Sequence, residues 1–388
     1  MSVEAVPELS PAVAAKLADA VYGIREVDDP ARGAAERGVT GLEAAFELAD
    51  GRIATARSGA VLTARTGFAL VLDGVAGTRW AGHKAVALRG TATMFDGATD
   101  LNIAIDRGPA GTYAHAGFVR SFRSIRESIP ALLEGHRGPV HVVGHSLGGA
   151  LAVLTAAELA SRGRRDLHLY TFGAPRVFTG GSVAAFDRLV PSARVRRVQN
   201  PADLVPLVPL WPYRHAPANG GGSVRVGPPA LIPGISQHYM SVYGPLVSRE
   251  GDWGALAAAG AAAPDLRSVD QWIAAARENV RIPGGRIGLW ALGKALNALL
   301  ALAERTVGAI ALGAVTVLDV LSAMLLRATE IAAAIGERVR ELMALILRWS
   351  GRGGHVAVEL TRAFLGWVLG LLLRPVAAAV RSAFERLG

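Results

Sequence analysis

The chain has 388 residues, 51% of them hydrophobic and 19% charged, with a mean hydropathy of +0.32; this excludes a disordered chain and supplies more apolar area than one ordinary core needs. Basic residues outnumber acidic ones 41 to 32, but only Lys16, Lys84 and Lys294 are lysines and no basic run carries interleaved aromatics, which argues against a nucleic-acid partner. The absence of cysteine excludes disulfides, thiolate metal ligands and cysteine nucleophiles.

From the N-terminus, the first 20 residues carry Glu4, Glu8, Lys16 and Asp19 and no apolar stretch, so they do not read as a secretory signal. The expectation is a protein that is cytoplasmic or peripheral to a membrane, with signal-independent export also open. Residues 11–22 read as an opening helix. Stretches 67–72, 84–89, 139–143, 167–172 and 194–199 are rich in Val, Leu and Ile between turn residues, which suits buried strands. The run 147–160 is helix-forming and directly follows one of them. Strand, tight turn and helix in repetition predict an α/β fold with a mostly parallel central sheet.

The sharpest local signal is Val140-His141-Val142-Val143-Gly144-His145-Ser146-Leu147-Gly148-Gly149, which contains G-x-S-x-G with Ser146 at its centre. A nucleophilic serine on a strained strand-to-helix turn projects its hydroxyl from the sheet end. Only small residues, here Gly144 and Gly148, fit two places before and after it. The Leu147 N–H opens the following helix and is aimed where an oxyanion would form. Such a hydroxyl needs a base, and the base needs a carboxylate to orient it. Asp203 stands in a loop just beyond the strand 194–199, at the sheet edge that holds Ser146, whereas Glu158 and Asp166 sit at the far end of the helix. Three downstream histidines, His215, His238 and His355, compete for the role of base. No phosphate loop and no metal-ligand spacing is present, so cofactor-free and metal-free hydrolysis is expected.

Near residue 265 the composition changes. Strand signals stop, and Ala, Leu, Val and Ile dominate to the end of the chain. Residues 306–318 and 363–373 are uncharged, and each falls short of the ~20 residues of a spanning helix unless Asp319 or Arg374-Pro375 is tolerated inside it. Between them, Glu330, Glu337, Arg338, Arg340, Glu341 and Arg348 alternate with Leu and Ile at helical spacing. Trp272, Trp290, Trp349 and Trp367 all fall in this region. Three arrangements stay open: helices on a membrane surface, a bundle packed on the first domain or on another copy, and a transmembrane hairpin.

Several stretches, in order, resemble the class 3 lipases, the fungal-type lipases of the α/β-hydrolase superfamily. These are Val86-Ala87-Leu88-Arg89-Gly90-Thr91, His115-Ala116-Gly117-Phe118, the segment around Ser146, Thr171-Phe172-Gly173-Ala174-Pro175-Arg176 and Asn200-Pro201-Ala202-Asp203. The similarity spans roughly residues 80–245. It implies an α/β-hydrolase catalytic domain over residues 1–264, with a helical, apolar region over 265–388 that has no counterpart in the family. It also implies a Ser146–Asp203–His238 triad, His238 being chosen because Ser236-Gln237-His238-Tyr239 resembles the family's late histidine before a short helix ending in tyrosine. Thr91 would then join Leu147 in the oxyanion hole, and His145 would brace the turn beside Gly144 and Gly148. The segment 92–100, where the family carries a lid, is short and weakly apolar. The implied activity is lipase or phospholipase A1-type hydrolysis of a lipid ester at a membrane surface contacted through 265–388. Alternatives are a soluble carboxylesterase or a membrane-perturbing protein with an accessory hydrolase domain; a homo-oligomer is compatible with all of them.

Overall fold

The structure, a computed structural model, describes residues 7–24, 42, 45–58, 64–89, 104–217, 222–227, 233–261, 268–307, 317–354 and 359–387. The strands, in chain order, begin with β1 (Phe46–Ser58), β2 (Ala64–Gly74), β3 (Lys84–Leu88), β4 (Ile105–Arg107) and β5 (Tyr113–His115). They continue with β6 (Val140–His145), β7 (Leu167–Phe172), β8 (Phe178–Thr179), β9 (Val195–Gln199), β10 (Tyr213–Arg214) and β11 (Ser223–Arg225). Seven form the main sheet in the order β1-β2-β3-β6-β7-β9-β11. The first two pairings are antiparallel, and the remaining four are parallel. The central sheet is thus mostly parallel, as the strand-turn-helix pattern predicts. Every residue of β3, β6 and β7 is buried, which explains why they read as apolar runs rather than alternating ones.

The five strands expected from the sequence lie within or overlap β2, β3, β6, β7 and β9. The long β1 and the short β11, together with the small sheet β10-β8-β5-β4, carried no clear apolar pattern. Pairing register aligns the carboxyl ends of the central strands: Leu88 faces Gly144, Gly144 faces Thr171, and Phe172 faces Val198. The loops after β6, β7 and β9 therefore leave the sheet side by side.

Helices α1 (Pro11–Ala20), α2 (Ala116–Arg123), α3 (Ser128–Leu132), α4 (Leu147–Ser161), α5 (Gly180–Leu189), α6 (Met240–Val247) and α7 (Trp253–Ala261) flank the sheet. Alternation along the strands divides the core. Val143, Tyr170 and Phe172 join Leu17, Tyr243 and Trp253 on one face, whereas Val142 and Leu169 join Leu151 and Leu154 on the other.

The region after residue 268 is helical: α8 (Val269–Asn279), α9 (Arg286–Val307), α10 (Val317–Ile331), α11 (Ala333–Trp349) and α12 (Arg362–Leu387). Ser268 caps α8 by accepting from the Gln271 N–H while the Gln271 side chain accepts from the Ser268 N–H. Asp319 lies in the first turn of α10, where the helix dipole favours a carboxylate. The interruption expected at Arg374-Pro375 does not occur, because α12 runs on through Pro375 to Leu387. Its continuation is held by packing, with Val376 and Val380 buried in the same cluster as Leu369 and Leu372. That cluster is contiguous with the α4 face of the sheet. Ile273, Leu296, Leu299, Leu342 and Met343 belong to one buried assembly with Val142 and Leu169.

Candidate active site

Ser146 has φ 61° and ψ −131°, a left-handed conformation that costs a non-glycine residue about 1–3 kcal/mol. The turn holds because Ser146 N–H donates to the Phe172 carbonyl at 2.9 Å on one side and the Gly149 N–H donates to the Ser146 carbonyl at 2.9 Å on the other. Glycine is obligatory at 144: a Cβ there would lie 2.2 Å from the Gly148 carbonyl oxygen and 2.7 Å from the Gly149 nitrogen. Leu147 begins α4, so its N–H is among the four at the helix start with no intrahelical acceptor.

Ser146, Asp203 and His238 come together across 57 and 92 residues of chain. His238 Nε2 is 2.7 Å from Ser146 Oγ, and His238 Nδ1 is 2.7 Å from Asp203 Oδ2. All three side chains are almost wholly buried. Asp203 also accepts from the Val205 N–H at 2.9 Å through Oδ1 and from the Tyr243 hydroxyl at 2.8 Å through Oδ2. With these donors in place, the carboxylate stays oriented and its burial is offset. The Tyr243 hydroxyl in turn accepts from the Asn200 N–H at 2.9 Å. Burial, then the Asp203 charge, pushes the Tyr243 phenol well above its usual range, so it remains a donor.

His145 occupies the second layer. Its Nε2 is 2.7 Å from the His238 carbonyl oxygen and its Nδ1 is 2.7 Å from the Tyr22 hydroxyl. A carbonyl can only accept, so Nε2 carries the proton and Nδ1 accepts from Tyr22. Burial and then His238 drive the His145 imidazole well below its ordinary value, consistent with this neutral tautomer. The ring thus ties the Ser146 turn to the His238 loop.

His215 is not at this centre; its Nε2 donates to the Pro206 carbonyl at 2.9 Å. His355, Thr91 and the segment 92–100 lie outside the described residues. Three contributors escaped the sequence reading. Gly173 has φ +56°, and a Cβ there would come 2.8 Å from Asp203 Oδ2 and 3.2 Å from His238 Cε1, so the position needs glycine twice over. Its only sequence signal is membership in Thr171-Phe172-Gly173. Tyr243 was visible only as the end of a short helix, and Tyr22, 123 residues from His145, had no signal at all. Among the described residues no group of three His, Asp or Glu side chains gathers as metal ligands would.

Residues 85–213 match the family model described as lipase (class 3). A secreted mono- and diacylglycerol lipase of Gibberella zeae is 37% identical over 145 residues, covering 33% of this chain and 34% of that protein. A Caenorhabditis elegans protein named as a lipase is 30% identical over 179 residues (43% of this chain, 50% of that one). A rice phospholipase A1 (Oryza sativa subsp. japonica) is 33% identical over 121 residues (29% and 30%). Among solved structures, lipase II from Rhizopus niveus aligns at 23% identity over 56% of this chain and 78% of that one, with a TM-score of 0.41. The chain spans between about a third and a half of the length of these curated relatives. The stretch matched by the class 3 lipase family model, residues 85–213, includes both Ser146 and Asp203.

Proposed function

We propose that the chain is a serine ester hydrolase that releases fatty acids from lipids, as a lipase or phospholipase A1, with residues 1–264 carrying the chemistry and residues 265–388 contacting a membrane surface. The observation that carries this reading is the hydrogen-bonded series Ser146–His238–Asp203 on a left-handed serine. In the reaction, Ser146 Oγ attacks the acyl carbonyl as its proton passes to His238 Nε2, and Asp203 stabilises the resulting imidazolium. The oxyanion is met by the Leu147 N–H, with Thr91 as the second donor implied by the family resemblance. Collapse of the intermediate expels the alcohol, which takes the proton from His238. Water, deprotonated by His238, then attacks the acyl-serine and frees the fatty acid while Ser146 recovers its proton. Relatives named as lipases and as a phospholipase A1 support an acyl ester substrate.

The membrane contact rests on a separate observation. Of the large hydrophobic side chains exposed among the described residues, Ile282, Ile287, Ile331 and Trp367 all fall in the helical region. Residues Arg286–Val307 and Arg362–Ser382 are long and apolar enough to cross a bilayer, yet 56% and 44% of their apolar windows are buried inside the protein. Seating on the lipid surface through a few exposed side chains, peripheral to the membrane, fits this burial better than spanning does.

The test is fatty-acid release from phospholipid vesicles and from a soluble short-chain ester. Full-length Ser146→Ala should lose both activities, by about 10³-fold or more. The double change Ile282→Asn and Ile287→Asn should lower vesicle hydrolysis selectively. A folded Ser146→Ala protein that kept ester hydrolysis would remove the serine from the mechanism.

A further inference from the structure

Between α9, Trp272 of α8, the loop after β7 and strand β10 lies a cavity of about 610 Å³ to which none of Ser146, Asp203 and His238 contributes. Arg176, Arg214, Lys294 and Arg305 line it against one carboxylate, Glu304, an excess of three positive charges. Glu304 is already spent on Arg214, with which it pairs. Arg176 is partly buried and donates through Nη1 to the side-chain Oδ1 of Asn297 at 2.6 Å, a neutral partner that leaves its charge uncompensated. The ammonium of Lys294 sits 5.8 Å from the Trp272 ring and 5.9 Å from the Trp290 ring, so an indole wall adjoins the charged one.

The cations repel one another across this space. Burial, followed by the charges of Arg214 and Arg197, brings Arg176 down to about 9. Burial and Arg305 lower Arg214, and burial followed by Arg197 and Arg176 holds His215 well below its ordinary value. An anion in the cavity would offset the mutual repulsion of Arg176, Arg214 and Arg305, which line it, and guanidinium groups match the oxygens of a phosphate in bidentate geometry.

We propose that this cavity is a binding site for a phosphate-class oxyanion. The anion has two sources, a phospholipid headgroup or a soluble phosphate. Only the choice of the headgroup rests on the hydrolase reading; the site itself does not.

Titration calorimetry on full-length Ser146→Ala at low salt separates these cases without turnover. The probes are inorganic phosphate, glycerol 3-phosphate and monomeric dihexanoylphosphatidylglycerol, with uncharged dihexanoylglycerol as reference. All three phosphates should bind. Affinity should fall on the order of tenfold in Arg176→Gln and in the exposed Arg305→Gln, and should weaken with added sodium chloride. Tighter binding of the lipid than of both soluble phosphates assigns the headgroup as source; equal binding assigns a free phosphate. Absence of phosphate binding, or binding unchanged in both arginine variants, overturns the proposal. Because no hydrolysis enters the readout, loss of the site and loss of the Ser146 chemistry are observed independently.

Discussion

Tyr243 supplies Asp203 with a second donor on the same oxygen that faces His238, at 2.8 Å. A carboxylate held by only one flexible partner would rotate, and the imidazole would follow it. Replacing Tyr243 by Phe leaves the Val205 N–H on Oδ1 but strips this bond and leaves the Asn200 N–H without its acceptor. A hydrogen bond to a charged group contributes about 1.5–3 kcal/mol. Tyr243→Phe should therefore lower kcat about tenfold with KM little changed, and lower the melting temperature. Steady-state kinetics on a soluble ester check this, and an unaltered kcat would mean that Asp203 is held without the phenol.

At the scale of the element, β6, the turn at Ser146 and α4 act as one unit, because the strand delivers the serine and the helix start faces it. The turn is closed by backbone contacts too tight for any side chain at 144. Gly144→Ala should cost more than about 3 kcal/mol, since its methyl group would overlap the Gly148 carbonyl and backbone cannot give way cheaply. Gly181→Ala in α5 is the control: outside its chain neighbours and its own helix backbone no atom lies within 4 Å of the added methyl, and its effect should stay within about 1 kcal/mol. Chemical denaturation of both variants provides the comparison, and equal stabilities would show that the turn relaxes.

For the whole molecule, the buried face shared between the sheet and α8 to α12 couples the two regions. Deleting 265–388 removes the part of this buried cluster that α8 to α12 supply, so the truncated protein should aggregate or bind a hydrophobic dye. A soluble truncation melting at the full-length temperature would show instead that the sheet closes its own core. At the opposite end of the strands from Ser146, His141 and His168 are buried beside His83. Burial, ahead of nearby arginine charges, lowers His168 to about 4, and neither of its ring nitrogens has a hydrogen-bond partner among the described residues. The unfolded chain, with an ordinary histidine near 6.5, binds the proton more readily than the folded one. Stability is therefore full above that value and is lost as pH falls from about 6.5 toward 4, by up to about 3 kcal/mol for this group. Melting temperature measured from pH 7 to 4 should drop in wild type and drop less in His168→Phe; identical slopes would assign the acid sensitivity elsewhere.

The strands at 84–88, 140–145 and 167–172 and the serine turn were legible because their signals are local: a few consecutive apolar residues, small residues two places either side of Ser146, and a helix-forming run after it. Asp203 was legible for the same reason, as the acid following the strand beside the serine. Among His215, His238 and His355 the residues alone did not choose. The family resemblance did, and His238 meets Ser146 and Asp203 only because α6 folds back beside β7 and β9. The Tyr22–His145 bond, the need for glycine at 173 and the docking of α9 against Pro201, through a 2.8 Å bond from the Trp290 indole N–H, involve partners far apart in the chain. So does the fate of the apolar C-terminal helices, whose composition satisfies a bilayer and a protein core equally well. What separates the two is which surfaces are buried against one another, and that follows from three-dimensional packing rather than from any stretch of sequence.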